Sequence, residues 1–281
     1  MTSAPDLREL AGRTIDARTD PEQAAAASAR FLAQAHLDER PEIEDVPDTS
    51  VQLHRGILRG GTWYRTAEVR ELTGADEEAL AAAGSSWPRI LDTLLLRGVC
   101  AVGPEPVTRA LADELILGDR DQLVLAVRRV SFGDAISYER VRCPHCDELS
   151  DVTVPLDEIP VVRLDDPDVE EFPVPLRHGR TAYLRLPNGA DQRAVLALKD
   201  ASTAAQNTLM IGRCLLRLEG PDGKMSGSAQ LARDLPMADR HTIVAHLAQI
   251  QPGPRYLELT FTHEVCGGEV PLPIGIGDLF R

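Results

Sequence analysis

The chain has 281 residues, 43% of them hydrophobic but only 4% aromatic, so a core is feasible and must be built from Leu, Val, Ile and Ala. A formal net charge of −14 and a pI near 4.9 give a surface that repels phosphates and anionic lipids, which argues against nucleic acid and membrane as partners. No apolar run is long enough to span a bilayer, and the first residues lack the basic and apolar regions of an export signal. The five cysteines are odd in number and follow no disulfide pattern, so the expected location is the reducing cytoplasm.

Residues 1–50 are polar, Ala-rich and acidic, and read either as a flexible tail or as a docking arm that orders on a partner. Within them, 20–35 suits a short helix with Asp20 as N-cap and Pro21 at the first helical position, and 39–48 reads as linker. From Val51 the pattern becomes organised. Segments 51–58 and 62–65 predict a hairpin around Gly60-Gly61. Thr73 is placed to N-cap a helix opening at Thr73-Gly-Ala-Asp76. A second helix carries Ile90, Leu94, Leu95 and Val99 and frays at Gly98. A third is predicted over 106–117, ended by Gly118. Asp119 is expected to cap a fourth, with Gln122 answering back and Arg128-Arg129 complementing its C-terminal dipole. Residues 51–134 therefore read as a mainly helical unit.

The period then changes to that of strands. Segments 135–141 and 151–156 flank Cys143 and Cys146. Short strands follow over 161–164, 172–176 and 180–186, with His178-Gly179 as a turn. A long helix is expected from Pro187 to about Leu216, then a loop at 219–224 and a helix to Ile250. Segment 256–263 runs into His263 and Cys266, and 270–274 runs out. Cys100 and Cys214 lie in apolar patterns and read as buried fillers. The predicted class is α+β: a helical N-terminal unit, then a β-rich zinc-knuckle unit over 135–281. That unit is built from two distant chain segments, with a helical insertion at about 190–250.

The two pairs Cys143/Cys146 and His263/Cys266 share one spacing, and each sits in a turn-prone context. A short turn that aims two side chains at one ion is a zinc knuckle, and two knuckles supply the four N or S ligands of a structural Zn²⁺. Two other readings fit these residues. Cys143 and Cys146 can be small buried apolar residues with His263 an ordinary strand residue, or the first pair can be a redox motif, although the βαβ context of a thioredoxin-like site is missing. His145 competes as a ligand but lies inside its own turn, where side chains splay away from the metal.

Catalytic patterns are missing. There is no Gly-rich nucleotide loop, no Gly-x-Ser-x-Gly elbow and no His-Glu-x-x-His. A zinc deaminase needs His-x-Glu ahead of Pro-Cys-x-x-Cys, and here that order is reversed. The acidic run Asp165-Asp-Pro-Asp168 lacks the Gly and distal Glu of a Ca²⁺ loop and reads as a solvated turn. Four protein ligands leave a zinc ion no open position for catalysis. No enzyme is expected and no catalytic residue is assigned.

Several stretches carry a family resemblance. They are Ala67-Glu-Val-Arg-Glu-Leu-Thr-Gly-Ala-Asp-Glu-Glu78, Ile90-Leu-Asp-Thr-Leu-Leu-Leu-Arg-Gly-Val99, Leu117-Gly-Asp-Arg-Asp-Gln-Leu123, Arg142-Cys-Pro-His-Cys146, Arg185-Leu-Pro-Asn-Gly-Ala-Asp-Gln192 and the closing Cys266-Gly-Gly with Asp278-Leu-Phe280. Over about 51–281 the chain resembles the T4-type baseplate hub assembly proteins of contractile phage tails and their relatives in phage-like contractile injection systems. The N-terminal fifty residues match nothing. The family usually carries a second Cys-x-x-Cys, and His263 stands here in place of its first Cys. The resemblance implies a non-enzymatic, chaperone-like assembly factor or component of the baseplate hub, with hub or spike proteins as partners. The competing reading is a stand-alone zinc-ribbon adaptor or regulator that binds another protein.

Overall fold

Gly60 and Gly61 take φ of +56° and +81°, the two positive values that a two-residue I′ turn needs. They join β1 (Ser50–Arg59) to β2 (Thr62–Val69), a longer hairpin than the sequence pattern outlines. The computed structural model describes residues 49–281, apart from 85, 199–200, 257–258, 273–278 and 281. The tail, the helix and the linker expected over residues 1–48 lie outside the described residues. The described residues belong to one unit, Pro47–Arg281.

After the hairpin come α1 (Gly74–Ala82) and α2 (Trp87–Gly98), then the small hairpin β3 (Val99–Val102) and β4 (Glu105–Pro106), and then α3 (Arg109–Glu114) and α4 (Leu117–Phe132). The sheet order is β1-β2-β3-β4. One helix was expected over 106–117. The chain makes a strand and a shorter helix there, because Thr108 N-caps α3 by accepting the Leu111 N–H at 3.2 Å. Gly118 does not end a helix. It is the second residue of α4, where a Cβ would stand 2.1 Å from the Pro252 carbonyl oxygen.

A second round follows β5 (Ala135–Arg142), β6 (Leu149–Pro155) and β7 (Val161–Val162). The hairpin β8 (Phe172–Pro175) and β9 (Thr181–Leu184) leads to α5 (Gly189–Leu196) and α6 (Thr203–Cys214). The hairpin β10 (Leu215–Gly220) and β11 (Gly223–Ser226) then leads to α7 (Ala229–Asp234) and α8 (Met237–Ile250). The sheet order β8-β9-β10-β11 repeats that of β1 to β4. The same register break recurs, at Glu68/Val69 in one sheet and Leu215/Arg217 in the other. The long helix expected from Pro187 to Leu216 is two helices and a strand. Ser202 caps the second helix by accepting the Ala205 N–H. The insertion expected between the knuckles is thus helical over α5 to α8, and its helices share a core with a four-stranded sheet.

The two rounds match residue by residue. Thr108 and Ser228 are 120 residues apart and each N-caps its short helix; Gly133 and Gly253, also 120 apart, both have positive φ. Arg120 and Arg240 donate to the Ala112 and Ala232 carbonyls. Arg185 is paired with Asp191 as Arg70 is with Asp76. The chain is an internal duplication.

The four buried carboxylates among the described residues, Asp76, Asp119, Asp191 and Asp239, each occupy the third position of a helix. Amides and the positive end of the helix dipole gather there. Asp119 was expected as an N-cap. Ile116 is the N-cap, and Asp119 turns outward to a bulge in β1, where it accepts N–H bonds from His54, Arg55 and Gly56. Gln122 does not answer back; its Oε1 is buried and makes no hydrogen bond among the described residues.

One hydrophobic cluster unites the first round with β5, β6 and the C-terminal residues Leu259, Leu272 and Leu279. A second fills the space between β8–β10 and α6–α8. Cys214 is buried as expected, but Cys100 is exposed on β3, because the expected helix ends at Gly98 and alternate strand residues face out.

Candidate metal centre

Each half of the duplication ends in a hairpin that carries one pair of ligands. β5 and β6 flank Cys143 and Cys146; β12 (Thr260–Thr262) and β13 (Glu269–Pro271) flank His263 and Cys266. The two turns have one hydrogen-bond pattern. Cys143 donates its N–H to the Glu148 carbonyl at 2.9 Å and accepts that of Asp147 at 3.0 Å. His263 donates to Gly268 at 2.9 Å and accepts from Gly267 at 2.8 Å. The residue after each second ligand is left-handed: Asp147 at φ +62° and Gly267 at φ +69°. Gly takes that conformation freely and Asp tolerates it.

The two turns face each other. The ligand atoms of Cys143, Cys146, His263 and Cys266 all lie within 4.8 Å of one another, the group expected from sequence. Cys143 Sγ is 3.6 Å from Cys266 Sγ; His263 Nδ1 is 3.4 Å from Cys146 Sγ and 3.3 Å from Cys266 Sγ. Ligands about 2.0–2.3 Å from a shared tetrahedral centre stand roughly 3.3–3.8 Å apart. The spacing fits an ion. It does not fit a disulfide, whose sulfurs are about 2.05 Å apart, and all five cysteines are free.

The chemistry of the donor set points the same way. Burial drives the Cys143 thiol up, but the His145 and Cys146 amides and the Cys266 thiol bring it below the ordinary thiol value. The Glu148 amide favours the Cys146 thiolate, yet burial and the neighbouring sulfurs push that thiol up to about 11. Packed sulfurs resist ionising together, and a cation among them removes the conflict. His263 is buried, and its Nε2 makes no hydrogen bond among the described residues. Its Nδ1 is the ring nitrogen that faces the Cys146 and Cys266 sulfurs, and an ion bound there would fix the ring proton on Nε2.

His145 is elsewhere. Its Nε2 lies 2.9 Å from the Glu269 carbonyl oxygen, and its ring covers Gly268 so closely that a Cβ there would be 2.4 Å from Cδ2. It ties the first turn to the strand leaving the second. The sequence pattern separated His145 from the ligands but did not show this contact. It also did not show the left-handed Asp147. The signal for that residue was its place one after the second ligand, which Gly267 matches in the other turn.

Among the described residues, no helix is long and apolar enough to cross a membrane. A family model described as T4 bacteriophage base plate protein matches residues 60–230, more than half of the chain. The match takes in the first knuckle and stops short of the second. No curated protein and no solved structure matches the chain.

Proposed function

Because the chain belongs to the T4 bacteriophage base plate protein family, we propose that it is a non-enzymatic, chaperone-like factor for assembling a baseplate hub. The setting is a phage tail or a phage-like contractile injection system, and hub or spike proteins are the direct partners. The work is done in the cytoplasm, where free thiols persist. The observation that carries this reading is the composite centre. Its ligands come from hairpins 120 residues apart in sequence, so an ion there closes a long loop and stiffens the scaffold. The Cys₃His set is one that structural Zn²⁺ takes, and we assign zinc. Four protein ligands fill the tetrahedron and leave no position for a substrate. What zinc would supply is cross-linking; the backbone hydrogen bonds of the two turns aim the ligands, with Cys143 and His263 buried and Cys266 exposed.

The test is co-expression with candidate hub and spike proteins, followed by pull-down and by purification of finished particles. A stable complex with one of them, and loss of complete baseplates when the chain is omitted, supports the proposal. Normal particles made without the chain would sink it.

A further inference from the structure

The duplication shows what one half of this molecule does to the other. In the first half, α2, α3 and α4 form a groove, and residues 187–193 of the second half sit in it. Leu117 donates its N–H to the Pro187 carbonyl at 3.1 Å, and Gly189 donates its own to Leu115 at 3.0 Å. A Cβ on Gly189 would stand 2.6 Å from the Ala112 carbonyl oxygen, so only glycine fits. Arg193 closes the joint with ion pairs to Asp113 and Asp92.

The second half has the same groove between α6, α7 and α8. Among the described residues it is open. It holds about 720 Å³ and is lined by Leu198, Ala204, Thr208, Arg233, Met237 and Val244 among others. Met237, the counterpart of Leu117, is 76% exposed. The first half, in turn, has an unused plug. Thr73-Gly74-Ala75-Asp76 is the counterpart of Asn188-Gly189-Ala190-Asp191, and its first three residues are exposed. Gly74 is not required by its backbone, which has no positive φ, and among the described residues a Cβ there would meet nothing within 4 Å. The charges are complementary with reversed sign. Where Arg193 meets Asp113 inside the chain, the corresponding residues are Glu78 and Arg233, both exposed.

We propose that the groove between α6, α7 and α8 receives residues 72–78 of a second copy of this chain, giving head-to-tail association. Gly74 packs on the Ala232 carbonyl, Met237 donates its N–H to Leu72, and Glu78 pairs with Arg233. The contact joins two different surfaces, so successive copies form a ring or an open filament according to the rotation between them.

Sedimentation of the full-length chain from about 1 µM to about 1 mM, the range of moderate affinities, tests this. The chain should self-associate. Glu78→Arg or Arg233→Glu should each weaken association on the order of tenfold, because each sets like charges together, and the double variant E78R/R233E should recover it. Gly74→Leu should block association while leaving the melting temperature unchanged, since among the described residues a Cβ at Gly74 meets nothing within 4 Å. A photo-crosslinking residue at position 237 should react with residues 66–89 of another chain. A chain that stays monomeric throughout, association indifferent to both charge reversals, or crosslinks from position 237 into residues 1–48 of its own chain would each overturn the proposal.

Discussion

The Asp119 carboxylate accepts the Gly56 N–H at 2.8 Å and so joins the first turn of α4 to the bulge of β1 across 63 residues of sequence. The His54 and Arg55 amides converge on the same carboxylate. Asp239 repeats the device in the second half, accepting the Arg177 N–H at 3.3 Å. Burial pushes the Asp119 carboxyl up to about 6, overriding the three amides that favour its ionised form.

This predicts a pH signature. The folded value lies above the unfolded one near 3.9, so between about pH 4 and 6 the folded chain holds a proton that the unfolded chain has released. The contribution of Asp119 to stability is therefore largest at low pH and falls as pH rises through 6. Asp119→Asn should destabilise by roughly 1–3 kcal/mol at pH 7, since an amide cannot accept at both positions. The advantage of the native chain over the variant should be larger by about 1–3 kcal/mol at pH 4.5. Urea denaturation at the two pH values measures both, and an advantage that grows with pH contradicts the raised carboxyl.

Gly56 and Gly74 should respond differently to alanine. Gly56 has φ +75°, and a Cβ there would lie 1.9 Å from the Tyr64 carbonyl oxygen, which is backbone and cannot move aside. Gly56→Ala should cost about 2–4 kcal/mol. Gly74→Ala has open space and should change stability by less than about 1 kcal/mol. Thermal denaturation of the two variants distinguishes them, and equal melting temperatures would refute the bulge geometry.

Chelator-free purification should yield one Zn²⁺ per chain by elemental analysis. Removing it should lower the melting temperature without unfolding the chain completely. Structural zinc in isolated finger peptides contributes about 10–16 kcal/mol to folding, but here the first hydrophobic cluster, which includes Ile136, Val152 and Leu272, shares the load. A folded, monodisperse and metal-free protein would end the four-ligand assignment.

The ligand assignment is open to direct challenge. His263→Ala should lose most of its zinc, while His263→Cys should retain it, because a Cys₄ set is equally acceptable. His145→Ala should keep the metal and lose about 1 kcal/mol of stability with its bond to Glu269. Metal content after dialysis is the readout. A full site in His263→Ala with an empty one in His145→Ala would reverse the two roles.

Duplex DNA and RNA should bind weakly, because a net charge of −14 sets up an unfavourable long-range field. Fluorescence anisotropy at two salt concentrations tests this. Sub-micromolar affinity that weakens with salt would favour a regulator over an assembly factor.

The cluster that could hold an ion was legible in the sequence because a knuckle is a local device. Its spacing, turn and paired ligands are fixed within a few residues, and Cys143, Cys146, His263 and Cys266 announce themselves without a fold. The hairpin at Gly60-Gly61 and the helix opening at Thr73 were legible for the same reason. The partner of Asp119 was not. An acidic residue near a helix start reads as a cap, and only the bulge of β1, brought up by tertiary packing, draws the carboxylate to Gly56. The duplication was also hidden, because its halves share few identities, such as Ala112 with Ala232 and Arg120 with Arg240. Side chains vary freely so long as burial is kept, as with Val127 and Leu247, so the repeat lies in register, caps and bulges. Sequence alone determined which residues can hold an ion. Tertiary structure decided that two copies of one unit supply them, and that the plug of the second half fills the groove of the first, because those contacts join segments whose meeting no local pattern encodes.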